Sequence, residues 1–194
     1  LLGKGARSRA LLNMDSIAAA QNDMRVAYFG GAPGIVTSAT AWLAAAIVAA
    51  AVTPQAGVFT LVFAGMLIFP VSVLLCRLIG ASGKHSKDNP LGPLALEGTL
   101  WMLLSIPIAI AASLYRVEWF FPAMLFVIAG RYLTFSTLYG MRIFWLLGAA
   151  LVAAGSLSIV FQVPVFVGAL AGALIEYAVG TLVFVRHRRT LAQH

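Results

Sequence analysis

Six long apolar runs, separated by short polar connections, dominate the sequence. A helix that crosses a bilayer needs about 20 apolar residues at a rise of about 1.5 Å per residue. Between residues 26 and 83 only Arg77 is charged, and between residues 143 and 185 only Glu176. Each of these two stretches is long enough for two spans. Charged residues make up 10% of the 194 and hydrophobic residues 61%, which places the chain in the membrane class.

The predicted fold is all-α and integral to the membrane, with an N-terminal amphipathic helix followed by a bundle of six transmembrane helices. Three spans followed by three spans are compatible with a 3+3 inverted repeat. Proline, glycine and polar connections set the span boundaries. The predicted spans cover about residues 32–52, 56–78, 91–113, 119–140, 142–161 and 164–185.

Residues 14–29 place Ile17, Ala20, Met24 and Ala27 on one helical stripe, which predicts an interfacial amphipathic helix. A simple extension of the first span fits this segment equally well. Residues 1–13 are interpreted as an upstream extension or cloning remnant, with Met14 as the native start. Residues 186–194 form a predicted basic tail after the six-helix domain of residues 30–185.

The distribution of positive charge predicts the orientation of the bundle. Connections on the side of the termini carry the large majority of the cations, whereas the opposite side carries Arg116 alone. The positive-inside rule then places both termini in the cytoplasm and the chain in a bacterial inner membrane as a multi-pass protein. The cations on the terminal side are Lys4, Arg7, Arg9, Arg25, Arg77, Lys84, Lys87, Arg142, Arg186, Arg188 and Arg189.

Several partner and cofactor classes are not expected. The net charge of +7 lies in short connections and not in a basic stripe interleaved with exposed aromatics, so nucleic acid is not an expected partner. The three histidines have no second ligand at metal spacing, and no motif for a bound cofactor is present. Expected partners are the lipid bilayer, an unidentified small molecule or ion, and a second copy of the chain in a homodimer.

Three ionisable residues lie inside predicted spans: Glu97, Arg131 and Glu176. A charge at such depth costs a few kcal/mol or more, and such residues usually face protein or a wet cavity. With the predicted orientation, Glu97 lies about 10 Å from the cytoplasmic end of its helix and the other two about 13 Å. If their helices are neighbours, the three can form one substrate or proton site. Two carboxylates and one guanidinium would then need a proton, cation or water to complete the site.

Other interpretations of these charges remain open. A buried ion pair could only fix helix register, and Arg131 could reach the cytoplasmic headgroups. Glycines at every fourth position of the last span form a small-residue stripe for close helix packing, which is also a candidate dimer interface. That stripe consists of Gly168, Gly172 and Gly180, with Glu176 on the same face, and the candidate cavity-lining residues are Trp101, Ser105, Tyr132, Thr134 and Tyr177.

The segment Asp88-Asn89-Pro90-Leu91-Gly92 opens an apolar run, with a capping side chain followed by proline. This motif and the layout through Arg131 to Glu176 resemble a family of small bacterial multi-span membrane proteins catalogued only as a domain of unknown function. The resemblance extends over about residues 15–185. It implies a bacterial cytoplasmic-membrane protein and supplies no activity, cofactor or catalytic residue.

Three classes of function follow from the sequence. The first is a small transporter or permeation protein with a polar site at the three buried charges. The second is a membrane scaffold or partner subunit in which these charges only specify helix packing. The third is an intramembrane enzyme that uses Glu97 and Glu176 as acid and base. The sequence does not identify a catalytic residue, so an enzyme is the less favoured class.

Overall fold

The computed structural model describes residues 17–191, and every element longer than a short turn in this range is an α-helix. The interpretations of residues 1–13 and of Met14 concern positions outside the described residues. Six of the seven helices are long and apolar enough to cross a membrane, which fits a multi-pass membrane protein. The helices are α1 (17–27), α2 (Ala32–Ala51), α3 (Pro54–Leu78), α4 (Gly92–Tyr115), α5 (Phe120–Tyr139), α6 (Ile143–Val160) and α7 (Val165–Leu191).

The transmembrane helices begin and end within two residues of the predicted spans, with one exception. Helix α7 continues to Leu191, so residues 186–191 extend the last helix and do not form a separate tail. Nothing in this segment breaks a helix, because it lacks proline and glycine. The arginines of this segment therefore lie on a rigid continuation of the last span.

Helix α2 is the central element of the bundle. It packs most extensively against α7 and α3, whereas α5 packs against α6 and α4. The third helix of each half thus packs on the first helix of the other half, as α4 does on α5 and α7 does on α2. An inverted repeat predicts that the third helix of each half contacts the first helix of the other half. The two halves differ in one contact, since α6 packs on α7 whereas α3 makes no comparable contact with α4. Helices α3 and α4 lie at the periphery and expose most of their large apolar side chains.

The glycine stripe of α7 lies inside the chain. Gly168, Gly172 and Gly180 are all buried. A Cβ atom at position 172 would lie 3.0 Å from Leu125 and 3.1 Å from the ring of Trp42. The stripe therefore allows α2 and α5 of the same chain to approach α7. Because these helices cover the stripe, it is not available as an interface between two copies.

A tight turn joins α1 to α2. Phe29, Gly30 and Gly31 all have positive φ angles, of 52°, 65° and 84°. Two of the three are glycines, which adopt this region without steric cost, whereas Phe29 does so against its preference. The Phe29 ring packs against Phe184 and His187 near the end of α7, with ring centroids 5.0 and 4.5 Å apart. The predicted bend before the first span is therefore a left-handed turn fixed by aromatic packing.

Helix α1 packs on protein through one face. Ala20, Met24 and Ala27 are buried, as the stripe predicts, whereas Ile17 is 49% exposed. Arg25 donates a hydrogen bond to the carbonyl of Tyr139 at the end of α5 (2.6 Å). The helix thus contacts the bundle, and does not lie free at its surface.

Asn89 connects the 79–91 segment to α1. Its side-chain amide donates to the carbonyl of Ala20 (3.0 Å) and to the carboxylate of Asp23 (2.6 Å). The same carboxylate accepts from the backbone N–H of Ser86 at 3.0 Å. Asn89 does not cap α4 as the sequence suggested, because α4 begins at Gly92 and its N-cap, Leu91, makes no side-chain cap. The amide oxygen of Asn89 accepts the N–H of Leu91 in the turn before α4 (2.9 Å), and its NH2 group makes the tertiary contacts with α1.

Two further hydrogen bonds extend this contact. Gly83 donates its backbone N–H to the carbonyl of Ala27 (2.8 Å), and the Tyr28 hydroxyl lies 2.9 Å from Nδ1 of His85. Burial raises the pKa of Tyr28, so this hydroxyl stays neutral at physiological pH. We call the end of the bundle formed by α1, the 79–91 segment, the turn after α5 and the end of α7 the basic end, since its connections carry most of the cations.

The glycine stripe gives a first prediction. Gly172→Ala should lower the stability of the protein by about 1–3 kcal/mol, because the new methyl group overpacks the contact with Leu125 and Trp42. Gly65→Ala is the matched control, since a Cβ atom at that position meets nothing within 4 Å. Thermal unfolding in detergent measures both variants, and equal melting temperatures would contradict the packing.

The Asn89 contact gives a second prediction. Asn89→Ala should loosen α1, because Ala20 and Asp23 each lose a hydrogen bond worth about 1 kcal/mol. Hydrogen exchange of the α1 backbone amides should become faster, while exchange in α6 stays unchanged. Lys87→Ala, at an exposed position of the same segment, serves as the control. Unchanged exchange in α1 of the Asn89 variant would show that other contacts hold this helix.

Candidate functional site at Glu176 and Tyr132

Glu176 lies in the middle of the packed bundle. Its side chain is completely buried, and Oε1 accepts a hydrogen bond from the Tyr132 hydroxyl at 2.9 Å. The other carboxylate oxygen, Oε2, is buried without a hydrogen-bond partner. A buried polar atom that lacks a partner costs about 1–3 kcal/mol, and more if it is charged. This oxygen is therefore a place where a proton or another ligand would stabilise the protein.

Three helices position this pair. The α7 stripe brings Glu176 close to α2, and Tyr132 approaches from α5. Ser38 of α2 is buried and lies beside both side chains. A hydroxyl can donate or accept a hydrogen bond, so Ser38 can respond to either protonation state of Glu176. Trp42, one turn further along α2, is 1% exposed and packs against Gly172, one turn before Glu176 on α7.

Arg131 precedes Tyr132 but faces a different neighbour. Its guanidinium group lies over the ring of Phe135, with Cζ 5.0 Å from the ring centroid. A Cβ atom on Gly98 of α4 would lie 3.2 Å from Nη1 of Arg131, which places this nitrogen at the α4–α5 contact. Nη1 is buried and has no hydrogen-bond partner. The packing thus holds the guanidinium group without satisfying all of its donors.

Glu97 is exposed on the surface of α4. Among residues 17–191 one ion pair has a nitrogen–oxygen distance below 4.0 Å. It joins Arg116 to Glu118, at the end of the bundle opposite the basic end. Arg131 therefore pairs with neither Glu97 nor Glu176. The three charges therefore make no ion pairs with one another. Arg131 lies at the α4–α5 contact, Glu176 lies with Tyr132, and α4 does not pack extensively on α7.

The predicted cavity-lining residues do not gather around one space. Tyr132 lies in the core with Glu176, whereas Trp101 is 51% exposed and packs against Gly130. Ser105 and Thr134 donate to carbonyl oxygens of their own helices at 2.9 and 3.4 Å. The Tyr177 hydroxyl lies 2.8 Å from Oγ1 of Thr40, on α2.

One open groove of about 340 Å³ lies away from these candidates. It is formed at the end of α7 by Phe184, Val185, Arg188 and Arg189. In the described part of the chain, no three His, Cys, Asp or Glu side chains are close enough to hold a metal ion. The buried site itself brings together one carboxyl group and the hydroxyl groups of Tyr132 and Ser38, which are side chains that can share a proton.

Sequence reasoning missed two features of this site. Ser38 was not a candidate, because a lone serine in an alanine-rich helix has no periodic signal that distinguishes it from packing. The specific pairing of Tyr132 with Glu176 was also missed, since it depends on the relative rotation of α5 and α7. The glycine spacing on the last span did indicate that Glu176 faces protein. This spacing was the sequence signal that located the site on α7.

The comparisons with known proteins give a family but no activity. A family model described as "Family of unknown function (DUF7010)" matches residues 17–186. No curated protein matches the chain, and no solved structure matches it.

The hydrogen bond to Glu176 gives a third prediction. Tyr132→Phe should destabilise the protein by about 1–3 kcal/mol, because Oε1 then loses its donor in a site that water does not reach. Tyr115→Phe is the control, since that ring is 77% exposed. Unfolding in a denaturing detergent measures the difference. A Tyr132 variant as stable as the control would show that the bond contributes little.

Proposed function

The chain belongs to the DUF7010 family of unknown function, and we propose that it is a small transport or permeation protein in which Glu176 binds a proton. The observation that carries this proposal is the unpartnered Oε2 of a completely buried glutamate. Ionisable groups at such positions in membrane helices are costly to retain and are functional by default. A glutamate that served packing alone would be expected to have both oxygens hydrogen-bonded.

The proton would be held between hydroxyl groups. When Glu176 is protonated, Tyr132 donates to Oε1 and the new O–H on Oε2 can donate to Ser38. When the proton leaves, Ser38 can rotate and donate to Oε2. The site would thus offer a hydrogen-bonded arrangement for each protonation state. Its full burial means that proton entry requires movement of α2, α5 or α7, as alternating access between two bundle halves would provide.

A membrane scaffold or partner subunit is the second candidate, and the closed packing around Glu176 favours it. In that case the Tyr132–Glu176 bond would fix the rotation of α5 against α7 and nothing would cross the membrane. The intramembrane enzyme has no comparable support, because Glu97 is exposed and Glu176 is buried, so the two cannot act on one substrate in this arrangement.

A flux assay in liposomes separates transport from scaffolding and is the fourth prediction. Liposomes with an internal pH-sensitive dye and an imposed potassium diffusion potential should acidify faster with the wild-type protein than without protein. Glu176→Gln should reduce the rate to that of protein-free liposomes, because an amide cannot exchange a proton. Glu97→Gln should retain the wild-type rate, since Glu97 is exposed on α4 whereas Glu176 is buried on α7.

Infrared spectroscopy supplies an independent readout. The carbonyl band of a protonated carboxyl group should be present in the wild type and absent in Glu176→Gln. If the wild-type protein transports protons no faster than Glu176→Gln, and the substitution changes stability alone, the scaffold proposal replaces the transport proposal.

A further inference from the structure

The guanidinium group of Arg131 is the strongest feature that the proposed proton site does not use. Its Nη1 is buried and makes no hydrogen bond, and no carboxylate oxygen of residues 17–191 lies within 4.0 Å of it. The side chain as a whole is half-buried, so part of it reaches the surface between α4 and α5. A guanidinium group in this position is ready for an oxyanion ligand, which it binds through paired N–H donors.

The surroundings of Arg131 hold it in place. The ring of Phe135 lies 5.0 Å from Cζ, a cation–π contact that restricts the guanidinium group. Gly98 leaves the room that Nη1 occupies, since a Cβ atom there would lie 3.2 Å away. The methyl group of Thr134 lies at the same contact. Nη1 is therefore enclosed at the α4–α5 contact. A ligand would meet the other N–H donors of the guanidinium group, which are not among the buried atoms and make no hydrogen bond within residues 17–191.

The neighbouring surface of α4 is apolar. Large side chains along it are exposed, and Trp101, which packs against Gly130 of α5, is one of them. A ligand that fits both features is negatively charged at one end and apolar along its length. The exposed residues are Leu96, Leu100, Trp101, Leu103 and Leu104.

The position along the helix also suits a lipid. Arg131 lies eight residues before Tyr139, which ends α5 at the basic end, or about 12 Å at helical rise. Local thinning of the bilayer around a charge at this depth can bring a headgroup phosphate to a guanidinium group that is held in place. The cations of the basic end attract anionic lipids to the same leaflet.

We propose that Arg131 binds the headgroup phosphate of an anionic phospholipid, whose acyl chains lie along the exposed face of α4. This site is separate from Glu176 and does not depend on proton transport. Glu97, exposed one residue before Gly98, is the intrachain carboxylate that could compete with the phosphate for Arg131. The test must therefore separate lipid binding from an intrachain ion pair.

The experiment compares the intact protein in nanodiscs of phosphatidylcholine alone and of phosphatidylcholine with phosphatidylglycerol. Native mass spectrometry counts the bound lipids, and thermal unfolding reports their effect on stability. The wild type should bind phosphatidylglycerol about fivefold more tightly than Arg131→Gln, because this is the gain in affinity that one cation near an anionic lipid provides. Arg131→Lys should retain part of this preference. Arg116→Gln, at the opposite end of the bundle, should behave as the wild type.

Three outcomes would overturn the proposal. Equal preference for phosphatidylglycerol in the wild type and Arg131→Gln would assign the effect to other cations, such as those of α7. Inorganic phosphate that stabilises the wild type in phosphatidylcholine as strongly as phosphatidylglycerol does would assign the site to a free anion. A loss of stability in Glu97→Gln equal to that in Arg131→Gln, in both lipid mixtures, would assign Glu97 as the partner.

A measurement on the wild type alone guards against a folding defect in Arg131→Gln. A phosphatidylglycerol analogue with a photoreactive headgroup should crosslink to α4 or α5 near Trp101 and Arg131. Crosslinks confined to residues 184–189 of α7 would place the anionic lipid in the groove there and would contradict the proposal.

Discussion

The close approach of α7 to α2 is the constraint on which the rest of the bundle depends. Gly172 and Gly180 bring the α7 backbone against Trp42 and Ile35, so that apolar side chains of α2 fill the space that the glycines leave. Lipid does not drive helices together as water does, so tight van der Waals packing of this kind must hold them. Because Glu176 lies between these two glycines on the same face, the packing that joins the helices also buries the carboxylate.

This arrangement explains why much of the fold is predictable. Span number and boundaries follow from local composition, and the structure places six helices within about two residues of those limits, apart from the end of α7. The glycine spacing indicated a protein-facing Glu176. The family assignment agrees with the predicted membership in a domain of unknown function. Bacterial origin and orientation in the membrane stay predictions.

The candidate site was harder to predict, because it depends on helix rotation. Residues 131 and 132 are neighbours in sequence, yet each is directed to a different helix by the turn of about 100° per residue. The depth of a residue along its helix can be read from sequence, whereas the identity of the helix that its side chain faces cannot. The expectation of one cluster used depth alone, so it joined Glu97, Arg131 and Glu176. In the folded chain Arg131 lies at the α4–α5 contact, whereas Glu176 lies with Tyr132 in the core. The same limit applied to Asn89, whose partners lie in α1.

The contacts of α1 have a consequence for the order of biogenesis. Asp23 bonds to a residue 66 positions later, and Gln21 bonds to the carbonyl of Thr137, 116 positions later. Helix α1 leaves the ribosome before either partner exists, so it cannot reach its final position until four of the six spans have been synthesised. During that interval the apolar face of Ala20, Met24 and Ala27 needs another surface to cover it. An amphipathic stripe can be accommodated at the membrane interface during that interval, before α1 docks on the bundle.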